Sequence, residues 1–326
     1  MKKHIIIILL LISIFSLTGC VNEKDRVIIY SSMEEERNQA LEKKLKEKFP
    51  NVDTKVQHMA TGNLAAKIKA EGTNTEADII VDLETSHVNN LKDNFASINS
   101  FDTSSYLDEV DTSNNYITWT KYSLGIILDK QYFEKNNLPI PKTYDDLLNP
   151  VYKDLIAMPD PTVSGSGYAF LLNMKNLKGE DAAIEYFKKL KANIREFTPS
   201  GSGSTNLLKQ GEIAIAMGML SQAAYAITEG YDFEVIKLDT NFPYNETSTG
   251  IIKGREKRKN VKDVFQYIIT DFSKYDKEVF IPTELFKDQK TNVKNYPNDV
   301  IDADMTDIES IEIKEKLTKR WDEING

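Results

Sequence analysis

One stretch near the start of the chain decides the fold class, residues 27–50, VIIYSSMEEERNQALEKKLKEKFP. Its first four residues are β-branched or aromatic, which favours a short buried strand. Ser32 followed by Glu35 forms a capping box and predicts the start of a helix. Apolar residues at helical spacing follow, and Pro50 ends the pattern. The stretch therefore predicts a strand that feeds directly into an amphipathic helix.

The same alternation of strands and helices continues along the chain. Further strands are expected at 54–57, 77–81, 116–119, 125–128, 155–158, 194–198, 213–217 and 233–238. Further helices are expected at 62–70, 144–148, 165–174, 183–190, 261–269 and 308–324. This order predicts an α/β fold with largely parallel strand pairing, divided into two units of unequal length.

Composition and charge limit the classes of function. The 326 residues are 40% hydrophobic and 28% charged, which is typical of a globular protein. The formal net charge of −9 argues against non-specific nucleic-acid binding, and no nucleic-acid partner is expected. Cys20 is the single cysteine of the sequence, which excludes an intrachain disulfide and any multi-cysteine zinc or iron–sulfur site.

The first twenty residues have the pattern of an export signal. Two lysines precede an apolar run over residues 5–17, which at about 20 Å of helix is too short to span a bilayer. Leu17-Thr18-Gly19-Cys20 resembles a bacterial lipobox, in which cleavage before the cysteine precedes its lipidation. We therefore expect a signal peptide at 1–19, lipid on Cys20 and a tether over 20–26. The protein would then be anchored to the outer face of the cell membrane, with a mature net charge of −11.

Polar loops follow several predicted strands, at the sheet edge where ligands of α/β proteins collect. Two of these loops are rich in glycine and serine and lead into helices, whose unpaired N–H groups suit an anion. The same serines could instead serve as simple helix caps without any ligand. The candidate ligand residues in these loops are Ser31, Ser32, Glu84, Thr162, Ser164, Gly165, Ser166, Ser202, Gly203, Ser204 and Thr205.

Motifs of catalysis are missing from the sequence. There is no phosphate-binding loop ending in Gly-Lys-Ser/Thr and no Gly-x-Ser-x-Gly elbow. After residue 19 the histidines are His58 and His87, which lack a metal-ligand spacing. A secreted serine hydrolase would need a histidine near Ser164 or Ser202, and both histidines are expected in the other lobe. We therefore expect a binding protein rather than an enzyme, with no cofactor and no resident metal.

Several of these segments together carry a resemblance to a known family. The chain resembles the solute-binding lipoproteins of ABC importers, in the branch that takes ferric iron, phosphonates and sugar phosphates. The matching segments are 27–50, Ala77-Asp78-Ile79-Ile80, 158–218, Ile251-Ile252-Lys253-Gly254 and Lys319-Arg320-Trp321.

The resemblance implies a two-lobed type 2 periplasmic-binding-protein fold with the ligand in the cleft between the lobes. It places lobe 1 at 27–119 and 241–326 and lobe 2 at 120–240, with crossings near 118–123 and 238–241. It also implies hinge closure on a small-molecule solute and docking of a monomer on an ABC permease and its ATPase.

The resemblance also bears on the class of solute. Iron-binding members carry a histidine after the first strand and a tyrosine pair, whereas here Ser31–Glu35 holds no histidine and Tyr225 stands alone. Relatives that take phosphonates or sugar phosphates hold the phosphate in loops equivalent to 164–166 and 202–205. Glu246 aligns with a polar loop that faces the cleft. We therefore expect a small anionic solute; ferric ion or a polyamine is the alternative, and a surface adhesin without transport is another.

Overall fold

The computed structural model describes residues 26–110, 112 and 115–325. The expected signal peptide, Cys20 and nearly all of the tether lie outside these residues. The described strands are β1 Arg26–Ser31, β2 Asp53–His58, β3 Ile79–Glu84, β4 Ile117–Asp129, β5 Ile156–Pro159, β6 Ile194–Thr198, β7 Ile215–Met219, β8 Phe233–Ile236 and β9 Tyr244–Ile251.

Helices connect most of these strands. They are α1 Glu35–Lys48, α2 Thr61–Glu71, α3 Thr85–Asn90, α4 Lys130–Asn136, α5 Gly165–Lys178, α6 Glu180–Leu190, α7 Gly203–Lys209, α8 Leu220–Thr228, α9 Lys259–Tyr267, α10 Ser273–Val279 and α11 Ile311–Asn325. A π-helical segment, Ile268–Phe272, joins α9 to α10, and the segment expected as a helix at 144–148 is a 3₁₀ turn, Asp145–Leu148. None of the described helices is long and apolar enough to cross a membrane.

The strands form a mixed sheet in the order β2-β1-β3-β9-β4-β7-β5-β6, with β8 paired to β4. The outer pairs are parallel, as the alternation of strands and helices predicts. The central strands β3, β9, β4 and β7 pair antiparallel, so the expectation of largely parallel pairing fails in the middle of the sheet. Strand β9 is not predicted by the sequence, because polar and apolar residues alternate only weakly along it.

Strand β4 crosses from one half of the sheet to the other. It is one continuous strand of 13 residues, where the sequence suggested two short ones. Its first part, up to Ser123, pairs with β9, and its second part, from Leu124, pairs with β7 and β8. The change of partner falls at the first expected crossing, and the second expected crossing lies between β8 and β9.

Each half of the sheet has its own hydrophobic core. One core packs β1, β3 and α1 against α9 and the π-helical segment, around Trp119 and Phe272. Another packs α5 and α6 against β5 and β7. Helix α11 belongs to the second core, since Trp321 lies edge-on to Phe187 and Phe197 at 5.4 and 5.1 Å. The lobe bounds remain a prediction; the C-terminal helix packs mainly on α5 and α6 of the expected lobe 2 and also contacts α3 of the expected lobe 1.

Candidate functional site

A small polar cavity lies between the two halves of the sheet. Its volume is about 50 Å³. Hydrogen bonds join the two sides of the cleft next to it. The Gly62 N–H donates to the carbonyl of Val163 at 3.2 Å, and Asn245 Nδ2 donates to the carbonyl of Gly165 at 2.9 Å. Since about 10–15 Å³ of such space holds one water molecule, this space admits a few water molecules or a small polar group.

One wall of the cavity is built from hydroxyl groups and a helix start. Ser164 caps α5, where its Oγ accepts the Gly167 N–H at 3.5 Å, and Ser166 follows in the first turn. Ser200 and Ser202, whose hydroxyls are 3.1 Å apart, complete this wall. The first N–H groups of a helix lack intrahelical partners and carry a partial positive charge. This wall therefore offers hydroxyl and N–H donors to a negatively charged group.

The opposite wall carries carboxylates that are already paired with a buried arginine. Arg37 on α1 donates to Glu34 Oε2 at 2.8 Å and to Asp82 Oδ2 at 3.4 Å. It also makes two bonds to Asp276, at 2.8 and 2.7 Å. Lys277 Nζ lies 2.5 Å from Asp276 Oδ2. The three carboxylates share two cations, so the charges of Glu34 and Asp82 are compensated only in part from behind the wall.

Asp82 has an unusual backbone and an unusual acidity. It adopts φ 64° at a register shift between β3 and β9, a conformation that is rare for residues other than glycine and concentrates at functional sites. Its Oδ1 accepts the Thr247 hydroxyl at 2.6 Å. Burial raises the pKa of Asp82 to about 6, although Arg37 acts in the opposite direction.

Glu84 is paired across the site with Lys314 of α11. The Lys314 Nζ to Glu84 Oε2 distance is 2.5 Å, and the two side chains are 7% and 1% exposed. Burial alone would raise the pKa of Glu84, but the charge of Lys314 holds it below its ordinary value. Burial and the same lysine lower the pKa of neighbouring His87 to about 4. Glu84 is therefore an ionised but compensated group.

The structure brings together six of the candidate ligand residues proposed from the sequence. The cavity is lined by Ser32, Glu84, Ser164, Gly165, Ser166 and Ser202. The other seven do not line it, namely Ser31, Thr162, Gly203, Ser204, Thr205, Tyr225 and Glu246.

The prediction that Ser32 forms a capping box at the start of α1 is wrong. Helix α1 begins at Glu35 after Glu34, which makes no side-chain cap bond. The Ser32 hydroxyl instead donates to the carbonyl of Asp82, a partner 50 residues away. Ser31 lies behind the wall, where its Oγ accepts the Met33 N–H at 3.1 Å.

Glu246 points away from the cavity because side chains alternate along β9. Its neighbours Asn245 and Thr247 bond Gly165 and Asp82 at the cleft, so Glu246 projects to the other face of the strand, beside Lys121. Tyr225 lies on α8 outside the cavity and is 37% exposed.

The remaining loop residues that miss the cavity are held within their own lobe. The Thr162 hydroxyl donates to Asp160 Oδ1 at 2.7 Å. Ser204 and Thr205 are buried, and a Cβ on Gly203 would come 2.4 Å from Thr198.

Several lining residues were not among the candidates. Thr247 is on β9, which the sequence does not predict, and Glu34 falls within the predicted capping box of the first helix. Ser200 and Gly201 precede the candidate serines in the same loop, so the loop composition could have identified them. His58, at the end of β2, also lines the cavity.

The structure brings His58, which ends β2 in the expected lobe 1, to the same cavity as the serines of the expected lobe 2. No hydrogen bond joins the His58 ring to a serine among the described residues, so a nucleophile–base pair is not formed there. Within the same described ranges, no group of three or more His, Cys, Asp or Glu side chains is placed to hold a metal ion.

The fold is that of two-lobed periplasmic binding proteins. It is similar to the structure of the periplasmic binding protein AfuA from Actinobacillus pleuropneumoniae with fructose-6-phosphate bound, with a TM-score of 0.75 and 23% identity, covering 92% of this chain and 98% of that one. It is also similar to a periplasmic thiamin binding protein, with a TM-score of 0.74 and 13% identity, covering 92% and 96% of the two chains.

The sequence comparisons define the family. A model described as bacterial extracellular solute-binding protein matches residues 38–236, more than half of the chain, and the chain belongs to this family. A thiamine-binding periplasmic protein of Brucella abortus is 27% identical over 231 residues, which is 67% of this chain and 66% of that protein. The protein is therefore a solute-binding component of an ABC importer and not an enzyme. It works in the periplasm or outside the cell, with a small-molecule ligand and a permease as partners.

Proposed function

We propose that the protein captures a small solute through an anionic group, a phosphonate or a phosphoryl group, and delivers it to its permease. The observation that carries this proposal is the wall of Ser164 and Ser166 at the start of α5 together with Ser200 and Ser202 in the loop before α7. Hydroxyls and helix N–H groups are neutral donors that stabilise an oxyanion without a basic side chain.

The carboxylates on the opposite wall weaken this proposal less than their number suggests. Glu84 has Lys314, and Glu34 and Asp82 share Arg37 with the carboxylate behind them, so each carboxylate of this wall has a cation within 3.4 Å. An anion in the cavity therefore meets carboxylates whose charge is partly neutralised by ion pairs. A polyamine or ferric ion would instead have to compete with Arg37 and Lys314 for the same oxygens.

A thermal-shift screen tests the class of solute, because a ligand that binds only the folded state raises the melting temperature. The probes are inorganic phosphate, 2-aminoethylphosphonate and hexose phosphates, against spermidine and ferric citrate. We expect stabilisation by a phosphorus compound, confirmed by calorimetric titration. Stabilisation by spermidine or iron alone would refute the anionic solute and favour the alternative.

We further propose that Cys20 carries the lipid that anchors the protein to the outer face of the membrane. The support is the lipobox-like sequence that precedes it. Expressed in its bacterial host, the protein should partition into the detergent phase of a Triton X-114 extract. The Cys20→Ser variant should move to the aqueous phase, and an unchanged distribution would exclude this anchor.

A further inference from the structure

A strongly basic segment connects β9 to α9, although the chain as a whole has a net charge of −9. We call it the basic edge, and its cationic residues are Lys253, Arg255, Lys257, Arg258, Lys259 and Lys262. Glu256 and Asp263 are the acidic residues within 253–263, so the segment keeps an excess of four positive charges. This concentration of positive charge takes no part in the polar cavity.

The strand register places the basic edge at the end of the sheet opposite the polar cavity. Ile251, the last residue of β9, pairs with Ile79 at the start of β3, and Ile79 is level with Ile29 of β1. The chain after Ile251 therefore leaves the sheet where β1 and β3 begin. The cavity is lined at their other ends, by Ser32 just after β1 and by Glu84 at the end of β3.

The arginines of the basic edge hold its backbone against the first strand. Arg258 donates to Asp78 Oδ1 at 2.6 Å and to the carbonyl of Arg26, which begins β1. Arg255 donates to the carbonyl of Thr75 at 2.7 Å. Buried Asp78 adds one negative charge, which leaves an excess of three positive charges at this surface. The exposed side chains that present them to solvent are Lys253, Lys257, Lys259 and Lys262.

The proposed lipid anchor joins the molecule at the same edge. Five residues separate Cys20 from Arg26, where β1 begins. At about 3.5 Å per residue this link reaches at most about 21 Å, so a lipid on Cys20 keeps the start of β1 close to the bilayer. The charges of the link, on Glu23, Lys24 and Asp25, sum to −1 and provide no basic segment. Attraction to an anionic membrane must therefore come from the folded surface beside the link.

Two electrostatic effects compete when this chain approaches an anionic lipid surface. The negative net charge of the whole chain is repelled, whereas lysines and arginines near the headgroups are attracted. Salt screens charges that lie more than about 8–10 Å from the headgroups, so the nearest side chains dominate. Because the link brings the basic edge nearest to the lipid, attraction there outweighs repulsion from the distant acidic surface.

We propose that the basic edge binds the anionic headgroups of the membrane that holds the Cys20 lipid, and so orients the anchored protein. This inference rests on the proposed lipid anchor, which brings the basic edge to the lipid. In the bound orientation the starts of β1 and β3 face the membrane. The polar cavity, at the other ends of these strands, then faces away from the lipid, towards solute arriving from outside.

The test uses the water-soluble Cys20→Ser protein, because a lipid would hold every variant on the membrane. Co-sedimentation is measured with vesicles of phosphatidylcholine alone and with vesicles that contain about 30% phosphatidylglycerol, at low salt and at about 0.5 M NaCl. We expect at least fivefold more protein on the anionic vesicles at low salt, and no difference at high salt, where the charges are screened.

A triple variant assigns this binding to the basic edge. The changes Lys253→Gln, Lys257→Gln and Lys262→Gln remove three exposed charges and leave the structural arginines in place. Binding to the anionic vesicles should fall at least tenfold. A matched control removes the same charge from exposed lysines of the expected lobe 2 and should bind as the parent does; its changes are Lys135→Gln, Lys153→Gln and Lys189→Gln.

The outcomes separate the basic edge from the lipid anchor. No binding to anionic vesicles, equal binding to both kinds of vesicle, or equal losses in the two triple variants would refute the basic edge, and the Triton X-114 partition would still decide the anchor. If the partition excludes the lipid but only the variant of the basic edge loses vesicle binding, the basic edge stands as a lipid-binding surface. The anchor, and with it the orientation of an anchored protein, would then be refuted.

Discussion

Lys314 of the C-terminal helix reaches 230 residues back along the chain to bond Glu84 Oε2 at 2.5 Å, with both side chains buried. The pair places a positive charge from α11 directly behind a carboxylate of the cleft wall. Helix α11 packs on α5 and α6, whereas Glu84 ends β3, so the ion pair ties the two halves of the molecule beside the cavity.

Removal of Lys314 alone should be strongly destabilising, because it leaves the charge of Glu84 buried and uncompensated. We expect Lys314→Met to lower the free energy of unfolding by about 3–5 kcal/mol, measured by urea denaturation. The double variant with Glu84→Gln should recover most of the loss, since it removes the stranded charge. A single variant within about 1 kcal/mol of the wild type would show that the pair contributes little.

The hydroxyls of the cavity should matter for binding, and a buried serine nearby provides the control. Ser166→Ala with Ser202→Ala should weaken binding of the phosphorus compound found in the screen by about 100-fold or more, because hydrogen bonds to charged groups contribute about 1.5–3 kcal/mol each. Ser204 is buried outside the cavity lining and its Oγ has no partner in the described chain, so Ser204→Ala should bind normally. Equal affinities in calorimetric titration would remove the serine wall from the site.

Closure of the cleft should depend on the absence of a Cβ atom at Gly165. A Cβ there would lie 2.8 Å from Glu84 Oε2 and 2.9 Å from Asn245 Nδ2. If overpacking costs about 1–3 kcal/mol in the closed form, Gly165→Ala should reduce solute affinity by about 5- to 100-fold. Small-angle scattering should show a larger radius of gyration for the variant than for the wild type at a solute concentration that just saturates the wild type. Identical curves and affinities would contradict this.

His87 should make the protein less stable in mild acid. Its folded pKa is lowered to about 4, whereas an unfolded histidine titrates near 6.5. Between these values the unfolded state binds the proton and the folded state does not, so stability is lost as the pH falls from 6.5 to 4. The loss is at most about 3 kcal/mol, at 1.36 kcal/mol per pKa unit.

Other groups also titrate in this pH range, so the measurement must compare the wild type with a variant that lacks the histidine. The pKa of Asp82 is raised to about 6 in the folded state, so its protonation stabilises the folded protein as the pH falls. This contribution has the opposite sign to that of His87. Urea denaturation of the wild type and His87→Gln at pH 7 and pH 5 isolates the histidine contribution. The wild type should lose more stability than the variant, and parallel losses would show that His87 titrates normally.

The sequence predicts features that depend on neighbours along the chain. Ser164 and Gly165 at the start of α5, and the alternation of strands and helices, follow from local capping and periodicity. Ser32 was misassigned because its hydroxyl bonds a carbonyl brought close only by the pairing of β1 with β3. Lys314 and Thr247 could not be connected to the cleft from sequence, since they reach it through packing and strand register.

The alternation of side chains along a strand decides which face each residue occupies, and the local sequence pattern does not show which face lines the cleft. Glu246 and Thr247 are adjacent and both polar, yet β9 directs Thr247 to Asp82 and Glu246 to Lys121. A register one residue different would have exchanged their roles.

Strand β4 has a consequence for how the protein unfolds. Its 13 residues are hydrogen-bonded to β9 in one lobe and to β7 and β8 in the other, without a linker between them. Melting of either lobe strips partners from the strand that both share. The two lobes should therefore denature in a single cooperative transition, with equal calorimetric and van't Hoff enthalpies.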